Sequence, residues 1–342
     1  MMMKGKQLFK LDDRQIDAQP DELRLFAGVK NELQKLPYFL KHHRKIGIDR
    51  FFFIDNESTD GTVEYLKDQP DCHCFHASGS HFAENVTPPN WTNALLNTFG
   101  DHHWCLTIDV DELFVYPRYE SLGLRDFCKF LDSMNAEVVF ALMIDMYPKG
   151  AIESCRYERG KPFLDFCSYF DPDPGRKKEI GQIGYFPPIQ VLGGVRERAF
   201  WHGRFKKTLP PCISKVPLIR WRKGMRYISA QHLHSGARLS DIQAALLHFK
   251  FLAAFHQTTA NSLKDNRDVA EKGLEERAAY IEMLQKNPEF SLYDERSVNF
   301  RNSAQLVGLG WMSESEAYRK YVRRFSKTQM PMYETIDRHK PN

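Results

Sequence analysis

The chain has 342 residues, enough to bury a sizeable core as one large domain or two modest ones. Its formal net charge of +4 is too small to demand a polyanionic partner, and there is no low-complexity tract and no internal repeat. No apolar run approaches the ~20 residues that cross a bilayer, and the opening MMMKGKQLFKLDD is too polar for a signal peptide.

Taken in order, Leu23–Val29 is an apolar run of strand length that empties into Lys30, Asn31 and Glu32. Leu33–Ile46 carries apolar residues near helical spacing, with Pro37 near the first turn and Gly47 at the C-terminal end. Arg50–Ile54 (RFFFI) reads as a second strand. It runs into Asp55-Asn56-Glu57-Ser58-Thr59-Asp60-Gly61-Thr62, a stretch of turn formers and helix caps. Val63–Leu66 starts a helix, Cys72–His76 a third strand, and Asn93–Phe99 a short helix. Cys72 and Cys74 share one strand face and read as small buried residues. All seven cysteines are scattered without a C-x-x-C, so structural disulfides are not expected and a reducing cytoplasm fits.

Trp104–Tyr116 (WCLTIDVDELFVY) follows as an apolar strand ending in three acids, Asp109, Asp111 and Glu112. Half-buried carboxylates repel one another and lose solvation, a cost that a divalent cation would cancel; Mg²⁺ or Mn²⁺ would bring a phosphate-bearing substrate. The order β-α-β-α-β-α-β predicts a parallel, doubly wound sheet. Right-handed crossovers then place Asn31, Asp55/Asn56 and Asp109/Asp111 beyond the same strand ends, where ligands bind in such sheets.

Further along, Leu124–Met134 reads as a helix and Val138–Ile144 as a buried strand ending in Asp145. Residues 150–195 have the Gly, Pro and aromatic content of long functional loops. Lys215–Trp221 and Ile228–His234 read as strands, with His232 and His234 alternating on one face of the second. Ser240–Asn261 and Asp268–Lys286 read as long helices with Ser240 and Asp268 as N-caps; Glu314–Phe325 closes the chain as a basic amphipathic helix. Between Arg196 and Arg226 ten Lys/Arg face a single acid, Glu197, which suggests a local basic surface.

Three stretches, VKNE, GIDRFFFIDNESTDGT and WCLTIDVDE, together resemble the family-2 glycosyltransferases, in the branch whose D-x-D motif reads D-x-D-E-[FL]. The resemblance covers residues 23–150 well, with a looser echo in KVP, the H-x-H stretch and LLHFKF. It implies an α/β, GT-A-like fold: a mixed, mainly parallel sheet flanked by helices, with a C-terminal helical extension. Residues 20–235 would form the catalytic domain, split into a nucleotide-sugar half to about 120 and an acceptor half beyond it, and 236–342 the extension.

The implied activity is metal-dependent, inverting transfer of a sugar from a nucleotide-sugar donor to a glycan or glycolipid hydroxyl, in surface or extracellular polysaccharide synthesis. Lys30, Asn31, Glu32, Asp55, Asn56 and Asp109 would hold the donor, Asn56 standing where many relatives read the base with an acid. Asp111, with Asp109, would hold Mn²⁺ or Mg²⁺, and a histidine would complete the set, His234 ranked before His248. Glu112 is expected to be a structural carboxylate tied to a nearby donor, and Asp60 a helix cap. Asp145 is the candidate base for the acceptor proton, with Glu153, Asp165 and Glu197 as competitors. The expected location is cytoplasmic, with the C-terminal helix available for peripheral contact at the inner face of an anionic membrane. Alternatives are a non-catalytic carbohydrate- or membrane-binding module and a nucleotidyltransferase; the latter lacks its Gly-rich phosphate loop in GVKNE. Nucleic acid is not an expected partner.

Overall fold

The computed structural model describes residues 8–17, 19–77, 90–179, 189–201, 210–229, 231–252 and 271–325. Within them the chain forms β1 (Leu8–Lys10), β2 (Arg24–Val29), α1 (Leu36–Ile46), β3 (Arg50–Asp55), α2 (Thr62–Lys67), β4 (Cys72–Ala77) and α3 (Asn90–Phe99). Next come β5 (Trp104–Thr107), β6 (Glu112–Val115), α4 (Leu124–Ser133), β7 (Val138–Asp145), β8 (Tyr169–Phe170), β9 (Arg176–Glu179) and β10 (Ile189–Leu192). After a π-helical turn at Glu197–Trp201 follow β11 (Ser214–Arg220), β12 (Tyr227–Ser229), β13 (Leu233–His234) and β14 (Leu239–His248). The last elements are α5 (Glu271–Lys286), β15 (Val298–Asn299), α6 (Ser303–Gly308) and α7 (Glu316–Phe325).

Nine of the described strands make one mixed sheet in the order β1-β4-β3-β2-β5-β11-β7-β14-β6. β4, β3, β2 and β5 run parallel, as the alternation of strands and helices predicts. β11 then inserts antiparallel between β5 and β7, and β14 lies parallel to β7. The fold is thus mixed α/β with helices flanking a large central sheet. Phe51 and Phe53 bury on one face and Phe52 on the other, where it stacks on Phe26 with ring centroids 4.8 Å apart. Cys72 and Cys74 do share the first of these faces, and all seven cysteines are free thiols.

The stretch Ser240–Asn261, read as a helix, is a strand as far as His248 and a turn from Phe249 to Leu252, and residues 253–261 lie outside the described part. Ile242, Ala244 and Leu246 join one core cluster, while Ala245, Leu247 and Phe249 join another. A strand buried on both faces presents a continuous apolar run, which periodicity alone does not separate from a buried helix. β14 is therefore part of the central sheet, and a division at residue 235 does not follow the fold. The acidic stretch also differs: it is two strands, β5 and β6, with Asp109–Asp111 in the link between them, and β6 pairs antiparallel with β14 at the sheet's edge. Ile228–His234 is a hairpin of β12 and β13 with His232 in the turn, so His232 and His234 do not share a strand face. Asp268, the expected cap of the next helix, lies outside the described residues.

The basic region is not a uniform charged surface. Lys215 and Arg196 are buried against carboxylates, and Arg198, Arg220 and Arg222 pair with Asp171, Asp132 and Glu137. Trp201, Trp221 and Tyr227 lie in the core. In the C-terminal part, Tyr280 and Leu284 of α5 pack with Phe200 and Phe251. No helix among the described residues is long and apolar enough to cross a membrane.

α7 spends its apolar face on α4: the Tyr318 ring meets those of Phe127 and Phe130 at 5.7 and 5.0 Å, and Tyr321 meets Phe130 at 5.2 Å. Arg319, Lys320, Arg323 and Arg324 are left exposed. The helix therefore presents charge rather than apolar side chains to its surroundings. Tyr318 is fully buried and donates its hydroxyl to the Pro117 carbonyl at 2.6 Å. Tyr318→Ala should lower the unfolding free energy by about 3–5 kcal/mol, the cost of emptying a buried aromatic site. Urea denaturation measures this; a loss below about 1 kcal/mol would show α7 to be undocked from the cooperative core.

Candidate functional site at the carboxyl ends of the strands

The first part of the site is a pair of interlocked loops after β2 and β3. Asn31 takes a left-handed conformation (φ 58°), and its side-chain oxygen accepts the Thr59 backbone N–H at 2.8 Å. In return the backbone N–H of Asn31 donates to Ser58 Oγ and that of Glu32 to Thr62 Oγ1, both at 2.9 Å. Asp60 accepts N–H groups from both loops, Leu33 at 3.1 Å and Thr62 at 3.0 Å. Its role is that of a brace; the residue at the start of α2 is Gly61, with φ 91°. Asp55 is buried at the end of β3, with the Ser58 N–H 3.3 Å from both carboxylate oxygens. Asn56 is buried beside it and donates its backbone N–H to the Val29 carbonyl at 2.9 Å. Lys30 follows β2 directly, on the same loop as Asn31.

The second part is the acid cluster, and it contains cations that the sequence reading did not foresee. Lys215, on β11, reaches across to Asp109 Oδ2 at 3.0 Å and to the fully buried Glu112. Burial disfavours its ammonium, but Asp109 and Glu112 outweigh that and hold it above the ordinary lysine pKa. Glu112 also accepts the Asp109 backbone N–H at 3.1 Å, so it is tied to nearby donors as expected. Asp109 itself keeps 53% of its side chain exposed. Lys35 bonds Glu32 at 2.7 Å and lies 4.0 Å from Asp111. Burial again works against the charge, and Glu32 and Asp111 again more than compensate.

Crowded carboxylates at the strand ends are thus largely neutralised by the chain's own lysines. The signal for Lys215 was the KVP stretch, visible in the sequence but not assigned a use. Lys35 sits three residues after Glu32, a helical pair spacing.

The third part is a chain of three groups at the ends of β7 and β14. His248 closes β14 rather than a helix, opposite Asp145 in the sheet register. Its Nδ1 lies 2.5 Å from Asp145 Oδ1, and its Nε2 lies 3.6 Å from Asp111 Oδ2, close enough for attraction and too far for a hydrogen bond. Burial disfavours the imidazolium, yet Asp111 and Asp145 raise its pKa to about 9. Asp111 is anchored from the same strand region, since its carbonyl accepts the Phe249 N–H at 2.8 Å. Its carboxyl stays far below the ordinary range, because Lys35 and His248 overcome the effect of burial.

Asp145 does not have the surroundings of a general base. Its Oδ2 accepts Arg196 Nε at 2.8 Å while Oδ1 faces His248, and the residue is buried. Burial alone would raise its pKa, but Arg196 and His248 hold it well below the usual carboxylate value, which leaves it a poor proton acceptor. Its geometry is that of a residue that orients His248.

His234 is not brought to the acids. Its ring packs against Trp221 and Tyr227, with centroids 5.8 and 5.6 Å away, and burial lowers its pKa to about 4. Trp221 follows the far end of β11 from Lys215, so His234 lies toward the opposite end of the sheet. An H-x-H pattern placed it by analogy; a tight hairpin moved it away.

Among the described residues no group of three or more His, Cys, Asp or Glu is arranged to hold a metal ion. The pair Asp111 Oδ2 and His248 Nε2 still fits two positions of one cation that takes its remaining ligands from phosphate oxygens and water. The Nδ1 contact to Asp145 supports that fit, because metal-bound histidines hand their other ring N–H to a carboxylate. An imidazole nitrogen is a softer donor than Mg²⁺ favours, so of the two expected ions the pair suits Mn²⁺ better.

The raised pKa of His248 has a consequence for the metal-free protein. A group whose pKa rises on folding stabilises fully below its unfolded value, near 6.5, and that stabilisation is lost as pH rises through about 9. Between pH 6.5 and 9 the wild type should lose on the order of 2–3 kcal/mol more than His248→Gln does. Urea titrations at both pH values measure the difference, and equal losses would mean that His248 is not protonated at neutral pH.

The chain matches no protein-family profile, and no curated protein matches it in sequence. Solved structures similar to it include a UDP-glucose pyrophosphorylase complexed with UDP-glucose, at 8% identity and TM-score 0.28, over 89% of this chain and 99% of that one. HddC from Yersinia pseudotuberculosis is similar at 9% identity and TM-score 0.29, over 70% of this chain and 97% of that one. A UTP-bound UGPase from Acinetobacter baumannii is similar at 8% identity and TM-score 0.26, over 89% and 93% of the two chains.

Proposed function

We propose that the protein is a glycosyltransferase that moves a sugar from a nucleotide-sugar donor to an acceptor hydroxyl. The observation that carries this reading is the Asp111–His248–Asp145 chain, set at the same strand ends as the interlocked Asn31 and Asp55 loops. In the reaction the acceptor oxygen bonds to the anomeric carbon while the bond from that carbon to the phosphate oxygen breaks, and the nucleoside diphosphate leaves with the electron pair. Lys30, Asn31, Glu32, Asp55 and Asn56 lie where the nucleotide would rest, and the half-exposed Asp109 can meet its ribose or a metal. A Mn²⁺ or Mg²⁺ ion held by Asp111 and His248 would stabilise the charge developing on the diphosphate. Lys35 and Lys215 hold fixed positive charge beside the same acids whether or not an ion is bound.

The acceptor's proton needs a carboxylate to take it, and among the competitors to Asp145 we assign Glu197, which is less buried than Asp145 and pairs with one arginine rather than with an arginine and a histidine. It follows Arg196, whose side chain bonds Asp145, and it keeps 28% of its side chain exposed beside Arg176. The loop before it lies against the site: a Cβ added at Gly194 would stand 3.8 Å from Asp145 Oδ2.

The test incubates the protein and Mn²⁺ with UDP-, GDP- and dTDP-sugars plus an acceptor extract, and identifies the released product. Nucleoside diphosphate is expected; release of pyrophosphate from a sugar phosphate and a nucleoside triphosphate would replace this reading with nucleotidyl transfer. Asp111→Asn and His248→Ala should each cut turnover by about 100-fold or more and abolish the thermal stabilisation by Mn²⁺ plus nucleotide. Full activity in both variants would remove the metal argument. Glu197→Gln should lower kcat by about 100-fold or more with donor binding unchanged, whereas Asp145→Asn should weaken Mn²⁺ binding by about 10–100-fold.

A further inference from the structure

The end of the sheet opposite the acids carries a polar cavity of about 380 Å³, lined among others by His102, Asp132, Glu137, Arg220, Arg222 and Arg238. Glu137 is its buried anchor. One oxygen of that carboxylate, Oε1, receives Arg222 Nη2 at 2.8 Å and Arg238 Nη2 at 3.0 Å; the other accepts the Arg238 backbone N–H at 3.0 Å. Arg238 Nε is fixed in addition to the Asn135 carbonyl at 2.8 Å. Two guanidinium groups are therefore held together by a single oxygen, with 55% and 54% of their side chains open to solvent.

One carboxylate against two guanidiniums gives the Glu137–Arg222–Arg238 group a net positive charge. Beside it, Arg220 meets Asp132 through Nη1 alone, at 2.9 and 3.0 Å, with both side chains 42% exposed. Ion pairs this exposed are worth little and exchange partners readily. Each guanidinium has five N–H donors in a planar fork, more than the bonds named engage.

We propose that this cavity binds a small, free phosphate-type oxyanion, clamped by Arg222 and Arg238 with Arg220 at its rim. Paired guanidiniums match tetrahedral oxyanions in both charge and geometry. The site is separate from the one at the acids: Glu137 precedes β7 and Asp145 ends it, and eight strand residues span about 26 Å.

His102 lines the cavity with 83% of its side chain exposed, which makes its imidazole a reporter that is not part of the clamp. The experiment titrates inorganic phosphate, then pyrophosphate, into metal-free protein at constant ionic strength and follows the His102 resonances by NMR, assigned with His102→Gln. A saturable shift is expected, and it should persist in Asp111→Asn. In Arg222→Gln/Arg238→Gln, with folding verified by circular dichroism, affinity should fall about tenfold or more. Arg222→Lys, which keeps the charge and loses the fork, should bind several-fold more weakly and serves if the double variant does not fold. No saturable shift in the wild type, or equal affinity in the arginine variants, overturns the proposal.

Discussion

The imidazole of His248 between Asp145 and Asp111 is the contact on which the arrangement of the site turns. Two strands and a loop meet there: β7 supplies Asp145, β14 supplies His248, and the link between β5 and β6 supplies Asp111. The parallel register of β7 and β14 sets Asp145 opposite His248, so sheet pairing aligns one end of the chain before any side-chain chemistry acts. The Phe249 N–H on the Asp111 carbonyl fixes the other end. A register slip of one residue would turn His248 to the other face and dismantle the group.

The same cluster shows two physical solutions to one electrostatic difficulty. Carboxylates gathered in a half-buried crevice need positive charge close by, and a cation from solution is one source. Here the chain brings its own: Lys215 lies on Asp109 and Glu112, Lys35 on Glu32 near Asp111, and Arg196 on Asp145. Clustering of acids by itself therefore does not argue for a metal. The Nε2 side of His248 faces Asp111 while Nδ1 is held by Asp145; a protonated imidazole satisfies both acids, and on losing the Nε2 proton the same ring presents a ligand nitrogen beside Asp111.

What could be read from the residues follows the same division. The parallel half was legible because each of β2, β3, β4 and β5 is a short apolar run closed by turn formers, and the polar loops at their ends follow from the handedness of the crossovers. β14 was not legible, because a strand buried on both faces loses its alternation, and with it went the correct setting of His248. The partners of the acids were hidden for a different reason. Lys215 and Asp109 are 106 residues apart, and Arg196 and Asp145 are 51 apart, so only the fold brings them into contact. In the same way a sequence pattern placed His234 with the acids, while a two-strand hairpin packs it on Trp221.

The surroundings of Asp145 separate roles that residue type leaves open. A carboxylate at the end of a buried strand can be a base, a ligand or a support, and its neighbours decide among these. Arg196 and His248 occupy both oxygens of Asp145, which stabilises its charged form and takes away the proton affinity that a base requires. Those two contacts instead fix which nitrogen of His248 faces the acids. Glu197, one residue beyond Arg196, keeps 28% of its side chain exposed and pairs with Arg176. Arg196 and Glu197, adjacent in the chain, thus end in different pairs: Arg196 ties down the buried carboxylate of Asp145, and Glu197 meets Arg176 nearer the surface.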